Sequence, residues 1–164
     1  MKYLFLLRHA KSSWADGELS DRDRPLNKRG LRDAPVMGQR LVQSEMYPEL
    51  IVSSPAVRAL TTAECMAEAL GLFPDDIVLE ERIYEASTSR LITVIHELDD
   101  GSDRIMLVGH NPGFTDLLNQ VDTVRIDNVP TCGLATLSLD VESWADVIMT
   151  QATLVAFDYP KKIH

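Results

Sequence analysis

Cysteine is scarce in this chain: only Cys65 and Cys132 occur among 164 residues, with no CxxC pair and no metal-finger spacing. A disulfide framework and a thiolate metal site are therefore not expected, and a reducing cytoplasm is the simplest setting. Cys65 sits in a helical pattern and reads as a small buried hydrophobe, whereas Cys132, in the turn Pro130-Thr131-Cys132-Gly133, is expected to be more exposed. Long apolar runs are also missing. The longest falls far short of the ~20 residues that cross a bilayer, so neither a transmembrane helix nor a membrane partner is expected. One lysine and then a strand-like stretch open the chain without a small-residue cleavage site, so no signal peptide is expected. Basic charge is the third deficit. Lysine and arginine number 16 against 25 aspartates and glutamates, a formal net charge of -9. That excludes nucleic acid as a generic partner, because phosphate backbones attract basic faces. An acidic chain that binds an anion must gather its positive charge locally.

What is present fits one domain over residues 1–164, long enough to bury a core unaided and free of repeats, linkers and low-complexity tracts. Short β-rich apolar runs occupy residues 2–7, 50–52, 77–79, 105–108 and 134–139, with a last one over 149–157. The near-continuous apolar character of the first and fourth predicts strands covered on both faces. Helical patterns lie between them. Residues 27–45 follow the candidate N-cap Asn27, with Pro35 expected to kink the helix or mark a restart capped by Asp33. Residues 56–70 end at Gly71; residues 88–98 start from Ser87 or Thr88, and residues 112–121 carry Pro112 in the first turn. Strands alternating with helices predict a three-layer α/β/α fold around a mainly parallel sheet. No long helix separates the last two strands, so an antiparallel edge is expected there.

Arg8-His9 follows the first apolar run directly, an unprofitable place for a cation and an imidazole unless they have work to do. Ligands in such sheets bind beyond the carboxyl ends of the strands. Arg8-His9 follows the first strand, Ser53-Ser54-Pro55-Ala56-Val57-Arg58 the second, and Gly109-His110-Asn111-Pro112 the fourth. Three strand ends thus bring cationic or imidazole groups to one edge. A phosphoryl group in transfer needs positioning and electrostatic stabilisation above all. Arginine suits this because its planar fork binds oxyanions with two bonds and keeps its proton. A histidine is a nucleophile when one nitrogen is free and the other is held as a donor, and neighbouring cations keep it neutral. His9 is the expected nucleophile, Arg8 and Arg58 the phosphate clamp, and His110 a second imidazole donating to phosphoryl oxygens, with Asn111 beside it as a substrate-binding candidate. Glu85, in Tyr84-Glu85 after the third strand, is the candidate proton donor to a leaving group. Glu64, Glu68, Glu80, Glu81 and Glu97 read as solvated charges.

Leu7-Arg8-His9-Ala10 resembles the Arg-His-Gly signature of the histidine phosphatase superfamily, the phosphoglycerate mutase-like proteins. Leu7 to Trp14, Arg24-Pro25-Leu26-Asn27-Lys28-Arg29-Gly30, Ser53 to Ala59 and Val108 to Gly113 look like its small SixA-type phosphohistidine phosphatases, in order and over essentially the whole chain. The resemblance implies a phosphohistidine intermediate on His9, clamped by Arg8, Arg58 and His110, with no metal and no cofactor. Ala10 stands where the family has glycine, which the fold accommodates if that backbone is not left-handed. The chain lacks the insertions with which larger members wall a sugar-phosphate pocket. The partner implied is a phosphorylated protein carrying phosphohistidine, or a small phosphorylated metabolite. A phosphomonoesterase or phosphomutase of the same superfamily, and a non-catalytic phosphate-binding regulatory module, remain as alternatives.

Residues 12–24 are polar and of mixed charge; they form either a flap over the site or a solvated loop whose charges pair locally. Lys11, Ser12 and Ser13 are candidates to line the phosphate site, and Trp14 a hydrophobic anchor for the loop. Asp99-Asp100-Gly101-Ser102-Asp103 reads as a turn, since it lacks the closing glutamate of a calcium loop. His96 is expected at the surface and His164 in a disordered terminus.

Overall fold

Strand β1 (Lys2–Arg8) sends alternate side chains to opposite faces, Leu4 and Leu6 to one hydrophobic cluster and Phe5 and Leu7 to the other. Strand β4 (Arg104–Gly109) does the same with Ile105 and Leu107 against Met106 and Val108. Both runs are apolar throughout because both faces are covered. The computed structural model describes residues 1–163; His164 lies outside them. The remaining strands are β2 (Leu50–Ser53), β3 (Val78–Leu79), β5 (Leu134–Leu139) and β6 (Thr153–Asp158), in the spatial order β3-β2-β4-β1-β5-β6. Strands β3, β2, β4 and β1 pair in parallel; β5 runs antiparallel to β1, and β6 antiparallel to β5. The sheet is thus mainly parallel, and its antiparallel edge is two strands wide.

Helices α1 (Lys28–Gln43) and α2 (Val57–Leu70) cover one face through Met37, Leu41, Ala63 and Met66. Helices α3 (Thr88–His96) and α4 (Gly113–Leu118) cover the other through Leu91, Ile95, Phe114 and Leu117. Each fully buried leucine, isoleucine or phenylalanine contributes about 1.5–3 kcal/mol by leaving water. The expected caps are in place. Asn27 accepts from the Gly30 amide at 2.9 Å, Ser87 accepts from the Arg90 amide at 3.2 Å, and Gly71 closes α2 with φ of 72°.

Four expectations need correction. Helix α1 runs unbroken through Pro35, and Asp33 is a buried ion-pair partner of Arg29 and Arg32 rather than a cap. Pro35 and Leu31 are exposed, so the Leu31 carbonyl, which loses its amide partner, lies on the wet side of the helix. Cys132 is fully buried, with φ of 59°, because its amide bonds to the His9 carbonyl at 3.0 Å and draws the turn against β1. Cys65 is only half-buried. The stretch 149–157 is divided, residues 149–151 forming a 3-10 turn ahead of β6. No helix among the described residues is long and apolar enough to cross a membrane.

Gly30 positions the start of α1. A Cβ there would stand 2.2 Å from the Lys11 carbonyl oxygen, so the first turn lies directly on the loop that follows β1.

Candidate active site

The register of three adjacent parallel strands builds the site. Arg8 lies opposite Gly109, and Ser53 opposite Val108. Pairing continues one residue further, with the His9 amide on the Gly109 carbonyl at 3.0 Å and the Ser54 amide on the Val108 carbonyl at 2.9 Å. His9, His110 and Ser54 therefore stand side by side beyond the strand ends. The two imidazoles are 5.2 Å apart between centroids and tilted by 53°.

His9 is buried, and its Nδ1 lies 2.7 Å from the Ala10 carbonyl oxygen. A carbonyl can only accept, so Nδ1 carries the proton and Nε2 keeps a lone pair. Burial, above all, lowers the His9 pKa to about 4; Arg58, Arg8 and Arg24 lower it further, and the Ala10 bond opposes them. The ring is neutral at pH 7. Ala10 is itself fully buried, outside the left-handed region, and gives its amide to Thr62 Oγ1 at 3.0 Å, so alanine fits here in place of glycine.

His110 Nε2 lies 2.8 Å from Ser54 Oγ, which also accepts from the Ala56 amide at 3.2 Å. Among the described residues the Ser54 hydroxyl proton meets no acceptor other than Nε2, and the tautomer that gives it one carries the His110 proton on Nδ1. Burial first, then the charges at His9, Arg58 and Arg8, lower the His110 pKa to about 3, with Asp21 opposing.

Arg8 Nη1 donates to the Val129 carbonyl at 2.8 Å. Arg58 Nη1 donates to the Asp21 carbonyl at 2.6 Å, and Nη2 to the Asp21 carboxylate at 3.0 Å. Arg8 Nε, Arg58 Nε and His110 Nδ1 are buried and have no hydrogen-bond partner among the described residues. Three buried N–H donors without partners, close to a neutral imidazole with a free lone pair, are groups of the kind that stabilise an oxyanion.

The structure thus brings Arg8, His9, Arg58 and His110 together. Asn111 stands beside them, on the same Val129 carbonyl as Arg8. The Asn111 amide nitrogen donates to Asn128 Oδ1 and the Val129 carbonyl, each at 2.9 Å, while its oxygen accepts from Thr115 N at 3.2 Å and Oγ1 at 2.9 Å. This side chain ties α4 to the carbonyl that holds Arg8. Glu85 is exposed on a left-handed backbone, φ 54°. From that loop it is Tyr84 that faces His110, edge to ring at 5.6 Å, and its hydroxyl donates to Asp21 at 2.6 Å.

Residues 12–24 lie across the mouth. Arg24 is buried, donates from Nη1 to Ser12 Oγ at 2.9 Å and from Nε to Asp21 at 3.1 Å, and stacks under the Trp14 ring at 3.5 Å. Trp14 is 73% exposed, so it is not the inward anchor expected; Arg24 fills the space beneath it. Some charges pair within the segment, as in Arg24–Asp21, but Arg58–Asp21 and Arg22–Glu81 tie it to α2 and to the turn after β3. Lys11 is exposed, and Ser12 is engaged with Arg24. His96 is half-buried, its Nε2 2.8 Å from the Val147 carbonyl.

Sequence reasoning assigned no role to Ser54, Arg24, Asp21 or Tyr84. Ser54 and Arg24 lie inside the recognised motifs, and that was the available signal. Asp21 and Tyr84 gave none beyond lying near Arg24 and Glu85.

Residues 4–91 match the model of the histidine phosphatase superfamily, branch 1. The crystal structure of a putative phosphohistidine phosphatase SixA from Agrobacterium tumefaciens superposes with a TM-score of 0.82 at 30% identity, covering 97% of this chain and 98% of that one. An uncharacterised protein of Mycobacterium tuberculosis is 31% identical over 94% of this chain and 100% of its own length. An uncharacterised chloroplastic protein of Arabidopsis thaliana is 32% identical over 87% of this chain and 69% of its own. Matched in sequence over more than half its length and in fold over nearly all of it, the chain belongs to branch 1 of the histidine phosphatase superfamily, in its SixA-like subgroup, and is a phosphatase.

Proposed function

We propose that this phosphatase removes the phosphoryl group from phosphohistidine on a protein, through a phosphohistidine intermediate of its own on His9. The observation that carries the reading is the set of partnerless donors, Arg8 Nε, Arg58 Nε and His110 Nδ1, around a neutral His9 with Nε2 free. In the first step the Nε2 lone pair attacks phosphorus in line. The N–P bond of the substrate breaks, and its electron pair leaves with the substrate imidazole, which takes a proton. In the second step water attacks the His9 phosphoryl group, giving orthophosphate and the free imidazole. Charge on the equatorial oxygens is met by the three donors.

The leaving group favours a phosphoramidate. An imidazole leaves readily once protonated, whereas an alkoxide needs a strong proton donor at hand. Asp21 has its pKa lowered to about 2, by the Tyr84 hydroxyl first and by Arg58 and Arg24, so it is ionised and has no proton to give. Burial first, and then the bond to Asp21, raise the Tyr84 pKa to about 12, which makes it a weak acid. Glu85, exposed beside Tyr84, is left as the donor for substrates that need one. A rim carrying the exposed Trp14 suits a phosphoryl group borne on a protein surface. A reducing cytoplasm is the proposed setting, in keeping with the unpaired Cys65 and Cys132.

The test is rapid quenching in alkaline denaturant with a 32P-labelled phosphohistidine protein, since N–P bonds are lost in acid. Label on wild type and none on His9→Ala is expected. Absence of label under single-turnover conditions, or equal labelling of both proteins, would remove the mechanism. Faster turnover of phosphoserine or sugar phosphates than of phosphohistidine would leave the mechanism and change the substrate.

A further inference from the structure

We propose that Asp21 competes with the phosphoryl group for Arg58 and thereby sets the affinity of the site for phosphate-like anions. The inference rests on the phosphoryl-site reading of Arg8, His9, Arg58 and His110. Arginine holds an oxyanion best by two parallel N–H bonds from one edge of its guanidinium. Nε and Nη2 share such an edge. In Arg58 the two atoms are differently engaged: Nε is buried without a partner among the described residues, while Nη2 donates to Asp21 Oδ2 at 3.0 Å. Asp21 takes Arg58 from its Nη1–Nη2 side, and Nη2 carries a second hydrogen towards Nε, so a phosphoryl group on this edge would share Nη2 and its guanidinium with the Asp21 carboxylate. Arg8 shows the contrast. Its bond runs from Nη1 to the Val129 carbonyl, and no carboxylate among the described residues pairs with its Nε–Nη2 edge.

Asp21 is held in this position from several sides. Its carboxylate accepts from Arg58, from Arg24 Nε at 3.1 Å and from the Tyr84 hydroxyl at 2.6 Å, and its carbonyl accepts from Arg58 Nη1 at 2.6 Å. Its charge is felt at His110 as well. A carboxylate and a phosphoryl dianion sharing one guanidinium repel each other, so each weakens the hold of the other. For a hydrolase this helps turnover, because orthophosphate leaves more readily when a second anion on the same guanidinium opposes its hold. The segment over the site shares in this balance, since Arg24 links Asp21 to the stacked Trp14 ring. The other tryptophan, Trp144, is buried beside Lys2 at the opposite ends of the strands.

The experiment titrates wild type, Asp21→Asn and Asp21→Glu with orthophosphate and with orthovanadate by calorimetry, following tryptophan fluorescence in parallel. Asp21→Asn should bind both anions about five- to tenfold more tightly, as removal of a nearby like charge requires. Asp21→Glu should stay within about twofold of wild type, since charge and acceptors are kept. Saturating orthophosphate should change the emission of wild type and not that of Trp14→Phe. Equal or weaker anion binding by Asp21→Asn would make Asp21 a support for Arg58 and overturn the proposal, as would tightening in Asp21→Glu. Asp21→Ser gives the same comparison if melting curves show that Asp21→Asn is not folded. Failure of wild type to bind either anion would remove the phosphoryl site itself, and the proposal with it.

Discussion

The Ser54 hydroxyl, 2.8 Å from His110 Nε2, decides which nitrogen of that ring faces the site with a proton. It can do so because, among the described residues, its proton has no acceptor in reach other than that nitrogen. Strand β2 delivers this serine one residue beyond its end, next to the residue that follows β4. Ser54→Ala should therefore release the His110 tautomer and orphan Nε2 in a buried site. We expect kcat/KM to fall about tenfold, the equivalent of roughly 1.4 kcal/mol. Steady-state kinetics on a phosphohistidine substrate checks this, and a loss under twofold would show that Ser54 does not orient the ring.

Arg58→Ala should cost about 3 kcal/mol of transition-state stabilisation, the range for one preorganised donor. Stopped assays of phosphate release give the number as a ratio of kcat/KM. A fall below about tenfold would take Arg58 out of the clamp.

The acid limb of activity should lie well below the usual histidine range. With its pKa lowered to about 4, chiefly by burial, the His9 ring proposed as nucleophile stays unprotonated from neutrality down to about pH 5. A kcat/KM profile over pH 3.5–7.5 should fall only near pH 4. Removing the charge of Arg8 or Arg58 should move that limb upward. A limb near 6.5 in wild type would show that His9 is not held as the structure holds it.

Stability should follow the same two rings. The folded pKa values of His9 and His110, about 4 and about 3, lie below the 6.5 of the free side chain. Unfolding therefore takes up protons below pH 6.5, and stability falls as pH drops from 6.5 towards 4; above 6.5 neither ring contributes. The slope is up to about 1.4 kcal/mol per pH unit for each ring. Urea melts at pH 7, 5.5 and 4.5 measure it, and His110→Asn should remove about half of the slope between pH 5.5 and 4.5. An unchanged slope in that variant would contradict the burial of a neutral His110.

Gly30→Ala should destabilise the fold by about 1–3 kcal/mol, as overpacking does. Its Cβ would stand 2.2 Å from the Lys11 carbonyl, a backbone atom that cannot swing aside, and the loop carrying Ser12 and Ser13 would have to shift. Urea denaturation of the two proteins is the check. Equal midpoints would mean that α1 does not sit on that loop as described.

The fold was legible because burial leaves a pattern. Alternate residues of β1 and β4 enter different clusters, so both strands read as continuous apolar runs, and Gly71 and Asn27 mark helix ends by local geometry. Pro35 shows the converse: propensity says that proline breaks a helix, and only the packed structure shows that the Leu31 carbonyl left unmatched lies on the exposed side. A turn such as that of Cys132 predicts exposure, and this one is drawn inward by the His9 carbonyl.

The same division runs through the site. By themselves the residues determined that Arg8, His9, Arg58 and His110 would meet, because a parallel sheet puts all its carboxyl ends on one edge and register does the rest. Only the tertiary structure decided how each polar atom is engaged. Arg58 turns two nitrogens to Asp21, Tyr84 faces His110 in place of Glu85, and Asn111 holds the loop beside Arg8. These contacts join residues distant in the chain, and a guanidinium or amide with several acceptors in reach is settled by distances and angles, which no local pattern encodes.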